Sequence, residues 1–124
     1  MRNMAVLIDT NILLNYLTNR KDSFLKEQIE PVRMCAKGEC TGYIAFHSLS
    51  TLWRVLRKRS EKERRQNLKD ICEKFSVSSA SLNEILDAIE KENFEDCLRD
   101  KCAKEVYVFL SSSAIPMILK ILKY

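Results

Sequence analysis

Two rhythms of apolar and polar residues divide this chain into alternating strands and helices. Met4 to Ile8 is an unbroken apolar run, the pattern of a short strand buried on both faces, and it stops at Asp9-Thr10-Asn11, all residues suited to capping a helix. Ile12 to Leu17 continues as helix one, until Asn19. Leu25, Ile29, Val32 and Cys35 or Ala36 then recur near helical spacing around Pro31, which predicts a second helix kinked or begun there. Gly38 and Gly42 bracket a turn before Tyr43-Ile44-Ala45-Phe46, which reads as strand two. Leu49, Leu52, Trp53 and Leu56 fall at i, i+3, i+4 and i+7, and so do Leu68, Ile71, Cys72 and Phe75, giving two amphipathic helices. Phe75 to Ser79 makes a short strand three, and Leu82, Ile85, Leu86 and Ile89 return to helical spacing. A further helix runs through Phe94, Leu98 and Cys102, after which Val106 to Leu110 and Ile115 to Leu119 read as closing strands, the latter held to a sheet edge by Pro116.

Strands alternating with helices imply a parallel sheet covered on both faces, because each crossover must return the chain to the same end of the sheet. Ligands of such sheets bind beyond the carboxyl ends of the strands, where Asp9 is expected. A length of 124 residues suits one compact domain, taken as 1–124. No apolar run approaches the roughly 20 residues of a membrane span, so no membrane partner is expected. The five cysteines form no Cys-x-x-Cys pair and only one histidine accompanies them, which fits reduced thiols in a cytoplasmic protein better than a zinc site. Cys72 and Cys97 lie on apolar helical positions and are expected to be buried, as is Trp53.

Charge is unevenly spread. Arg54, Arg57, Lys58, Arg59, Lys62, Arg64 and Arg65 face only Glu61 and Glu63 over residues 54–65, a local +5. That run is either a solvated helix surface or a track for RNA phosphates. Residues 84–100 carry seven acids against Lys91 and Arg99, a local −5. Asp9 is either a helix cap or part of an acid site, and Glu95 with Asp96 either a solvated first turn or the other half of that site.

Val6-Leu7-Ile8-Asp9-Thr10-Asn11, a hydrophobic strand, Asp-Thr-Asn, then an apolar helix, resembles the opening of PIN-domain nucleases, including VapC-type toxins. Gly42 to Ser48, Leu52 to Lys58, and Phe94-Glu95-Asp96-Cys97-Leu98 followed by Ala103 resemble, in order, the second strand, third helix and acidic helix of one bacterial subfamily. The resemblance implies a three-layer αβα sandwich with a central, mostly parallel sheet. It also implies a Mg²⁺- or Mn²⁺-dependent endoribonuclease, the toxin of a toxin–antitoxin pair, with an antitoxin partner and homodimer formation. Asp9 and Asp96 match metal-site acids, and Glu95 is an auxiliary ligand. Thr10, Asn11 and Ser48 would orient carboxylates or water, and Thr51 stands where many relatives carry a second acid. His47 is expected to make a structural hydrogen bond, since a metal-activated water needs no histidine base.

From about residue 104 the chain departs from the pattern: the Thr-Arg-Asn and Asp-Phe segments of the family are missing, and no Asp or Glu lies beyond Glu105. The last metal-site acid therefore has no counterpart. Fewer anionic oxygens weaken Mg²⁺ binding, so the expected activity is weak or lost. The alternative is a catalytically inactive RNA-binding or antitoxin-binding module. A phosphoacceptor receiver domain would need a second acid beside Asp9, and a Rossmann domain would need a glycine-rich loop; the sequence has neither.

Overall fold

The computed structural model describes residues 4–18, 23–111 and 118–122. They form β1 (Met4–Ile8), α1 (Thr10–Thr18), α2 (Ser23–Ala36), β2 (Thr41–Ala45), α3 (Phe46–Val55), α4 (Glu61–Lys74), β3 (Ser76–Ser78), α5 (Leu82–Ile89), α6 (Phe94–Ser111) and β4 (Ile118–Leu122). The four strands make one sheet in the order β3-β2-β1-β4, with every neighbouring pair parallel. Successive strands step from β1 to β2 to β3, and the chain then crosses back to place β4 on the other side of β1. The reversal of strand order thus falls at β1, and Asp9 is the first residue beyond its carboxyl end.

Alternation along the strands sends side chains to two separate cores. Val6, Ile8 and Ile44 pack with Ile12 and Leu13 of α1, Val32 and Cys35 of α2, Leu52 of α3, and Ile71 of α4. On the opposite face, Ala5, Tyr43 and Leu119 meet Val106 and Leu110 of α6. The result is a single-domain αβα sandwich, with α5 packed against α6. Lys101 Nζ lies 2.6 Å from Asp87 Oδ2 across that helix pair. Ser78 Oγ, buried at the end of β3, donates to the Cys102 carbonyl at 2.9 Å and fixes α6 along the sheet.

One local turn explains how β2 is delivered. Gly38 has φ +82°, and the Gly38 N–H donates to the Cys35 carbonyl while the Glu39 N–H donates to the Met34 carbonyl, the bonding of a Schellman stop to α2. Only glycine adopts that φ without strain.

Four expectations are corrected. Val106 to Leu110 is not a strand but the end of α6. Its five consecutive apolar residues hide the helical stripe Cys102, Ala103, Val106 and Leu110, all buried, while Tyr107, Val108 and Phe109 are exposed. The closing strand is Ile118–Leu122, which overlaps the expected one only at residues 118–119; Ile115 and Pro116 lie outside the described residues. Cys72 is exposed and Cys97 half-buried, because the buried stripe of α4 reaches only Ile71; Cys35, Cys40 and Cys102 are the buried thiols. Trp53 is half-buried rather than central: the Arg64 guanidinium lies 4.0 Å, and that of Arg65 5.5 Å, from its ring centroid.

Candidate functional site

Three chain segments meet beyond the carboxyl ends of β1 and β2. The Asp9 carbonyl accepts the first α1 hydrogen bond, from the Leu13 N–H at 3.1 Å, which makes Asp9 the hinge between strand and helix. Ala45 ends β2 and passes directly into α3, placing His47, Ser48 and Thr51 on its first turns. The first two turns of α6 supply Glu95, Asp96 and Arg99. Together with Thr10 and Asn11 these residues line a small cavity of about 120 Å³. Thr10 Oγ1 and Ser48 Oγ, 2.6 Å apart, tie the starts of α1 and α3 together across it. Thr51 Oγ1 bonds back to the His47 carbonyl at 3.4 Å.

The fold therefore brings Asp9 and Asp96 to one place, and the group between them is Arg99. Its Nη1 lies 3.6 Å from Asp9 Oδ1 and 3.3 Å from Asp96 Oδ1, and its Nη2 lies 3.7 Å from Asp100 Oδ1. The Arg99 side chain is only 11% exposed, Asp9 20% and Asp96 61%. Helix geometry accounts for the reach. Side chains on a helix lean toward its N-terminus, so Arg99 passes over Asp96, one turn earlier, toward the end of β1. Arg99 escapes a search for metal ligands in the sequence because it carries the opposite charge; its i+3 spacing from Asp96 is the signal that could have found it.

Whether these residues fit a divalent ion can be read from the donor set. Mg²⁺ demands oxygen ligands in near-octahedral array. Among the described residues no cluster of three or more His, Cys, Asp or Glu side chains is placed to hold an ion. The orphaned buried polar atom at the site is Arg99 Nε, a hydrogen-bond donor, where a metal cradle would leave acceptor oxygens unmatched. As arranged, the site does not fit a divalent cation.

His47 stands beside this charge cluster. Burial pushes its pKa below the ordinary 6.5; the Glu95 and Asp9 carboxylates pull it back up, and Arg99 pushes it down. The ring is thus held toward its neutral form. Elsewhere, burial beside Cys40 pushes the Cys35 thiol up to about 12, which leaves it un-ionised and chemically quiet. A larger hollow of about 350 Å³ lies along β3 and α6, but among the described residues Glu105 is its sole charged lining residue, and it is separate from the acids above.

The basic run occupies the end of α3, the turn after it and the start of α4. Arg59 donates to Asn67 Oδ1 at 2.9 Å and to the Leu17 carbonyl at 3.2 Å. Arg64 donates to the Trp53 carbonyl at 3.1 Å, and Arg65 pairs with Glu61. The Arg59 and Arg64 guanidiniums tie α1, α3 and α4 together, whereas the Arg65–Glu61 pair is exposed and lies within α4. Arg54, Arg57, Lys58 and Lys62 are exposed, and none of them enters an ion pair among the described residues.

A chain of the crystal structure of VapBC2 from Rickettsia felis, bound to a DNA fragment from their promoter, superposes with a TM-score of 0.58. The match covers 97% of this chain and 100% of that one, at 18% sequence identity. The fold is PIN-like. No family model matches the sequence, and no curated protein matches it either. In this chain Asp9 and the acidic first turn of α6 converge beyond the carboxyl end of β1, with Arg99 between them. Among the described residues no helix is long and apolar enough to cross a membrane.

Proposed function

We propose that this chain is a PIN-like protein of the toxin–antitoxin type that acts by binding RNA and a protein antitoxin, with Mg²⁺- or Mn²⁺-dependent RNA cleavage weak or absent. The observation that carries this reading is the pairing of Asp9 and Asp96 with Arg99 instead of with further acids. Two carboxylates that share one guanidinium have half their charge offset and oxygens already engaged, which lowers both the free ligand number and the negative charge offered to a hard dication. Glu95, an exposed neighbour, does not complete the set.

RNA binding is supported by Arg54, Arg57, Lys58 and Lys62, whose charges are open to solvent. An antitoxin partner is supported by the VapBC2 likeness and by the exposed apolar side chains Leu82, Leu86 and Ile89 on one face of α5. Homodimer formation belongs to the same reading and is measured by light scattering of the purified chain.

The test is binding of labelled single-stranded RNA across a salt series, with cleavage followed in parallel in Mn²⁺. Each neutralised phosphate contributes a slope of about −0.7 in log K against log salt, so four basic residues give about −3. The charge reversals Arg57→Glu and Lys58→Glu together lower affinity about tenfold or more. A flat salt response removes the RNA reading. Cleavage by the wild type that disappears in Asp9→Asn restores the nuclease reading in its place.

A further inference from the structure

We infer that Arg99 is the resident cation of the acid cavity: its guanidinium holds Asp9 and Asp96 together in the role a divalent ion would otherwise take, and so keeps such ions out. The inference goes beyond the proposed function, since it concerns the cation of this cavity and stands whether or not the chain binds RNA.

Three observations converge on it. The first is position: one nitrogen, Nη1, is shared between an acid at the end of β1 and an acid on the first turn of α6, two segments separated in sequence by β2, β3 and the helices α1 to α5. The second is burial. Arg99 is the least exposed member of the cluster at 11%, and a charge so removed from water is retained only with opposite charges beside it. The third is the shape of the donor. A guanidinium is planar, stays protonated, and presents several N–H groups that can serve more than one carboxylate at once, here Asp9, Asp96 and Asp100. A dication entering the cavity would have to detach Asp9 and Asp96 from Arg99 and then sit against the positive charge it displaced. Neither step is favourable while the arginine is present.

The arginine also has a structural effect. Without a cation, Asp9 and Asp96 would repel each other across the junction of β1 with α6. Replacement of Arg99 by a neutral side chain of similar length therefore does two things: it leaves two unpaired carboxylates facing one cavity, and it makes the fold depend on whatever cation fills that cavity.

The experiment uses the full chain with Mn²⁺ as the probe, at constant ionic strength, for the wild type, Arg99→Gln and Arg99→Gln/Asp9→Asn. Calorimetric titration is expected to show Mn²⁺ affinity at least tenfold higher in Arg99→Gln than in the wild type, and lost again in the double variant. Thermal unfolding gives an independent readout: Mn²⁺ raises the melting temperature of Arg99→Gln but leaves the wild type unmoved, because only a ligand of the native state stabilises it. A gain below tenfold overturns the inference. Should Arg99→Gln not fold, comparison of the wild type with Asp9→Asn decides: Mn²⁺ binding by the wild type that requires Asp9 overturns the inference, and no Asp9-dependent binding upholds it. Failure of RNA binding leaves these outcomes unchanged, so the two readings fail separately.

Discussion

At the scale of single residues, the site is defined by which charges find partners. Asp9 was legible in the sequence because an apolar run ends on it, and a parallel sheet puts such a residue at the mouth of its crevice. Asp96 and Glu95 were legible only through resemblance, since acids on the first turn of a helix are ordinary. Arg99 was passed over because its charge is opposite to that of a metal ligand, although its i+3 spacing from Asp96 was there to be read. His47 offers a measurement at this scale. Burial favours the neutral ring, so its folded-state pKa lies below the unfolded 6.5. Between those two values the unfolded chain binds more protons than the folded one. The His47 contribution to stability is therefore fully present above 6.5 and falls as pH drops toward the folded-state value. As the only histidine, its ring protons stand alone in an NMR titration, and the expected midpoint lies below 6.5. A midpoint at or above 6.5 contradicts the assigned burial.

At the scale of elements, strands and helices followed from periodicity wherever one face was clearly apolar. Leu49, Leu52 and Leu56 gave α3 because their spacing matches a helical stripe, and Leu52 and Leu56 are buried. Periodicity failed at Val106 to Leu110, where every residue is apolar and a run of β-formers looks like a strand until the preceding Cys102 and Ala103 are added to its stripe. The same spacing rule found α5 but not its exposure: Leu82, Leu86 and Ile89 follow the helical period and face solvent. Gly42 shows how tightly β2 is seated. A Cβ there would enter the Phe75 ring and lie 3.0 Å from Cys35 Cβ. Gly42→Ala is expected to destabilise the fold by about 1–3 kcal/mol, as overpacking of a filled core does. Urea unfolding measures this, and an unchanged midpoint with an unchanged slope would show that Phe75 moves aside at no cost.

For the whole molecule, the fold and the cavity at the carboxyl end of its sheet are separate questions. The parallel sheet and its two covered faces agree with a PIN-like sandwich. The cavity at its carboxyl end holds Asp9 and Asp96 paired from within the chain, by Arg99. What is to be tested is that a guanidinium, not a metal, bridges Asp9 and Asp96. Diffraction at the manganese absorption edge from crystals soaked in Mn²⁺ tests it most directly. The Arg99 guanidinium is expected between the two carboxylates, with no anomalous peak in the cavity; an anomalous peak bonded to both carboxylates, with Arg99 turned away, overturns this.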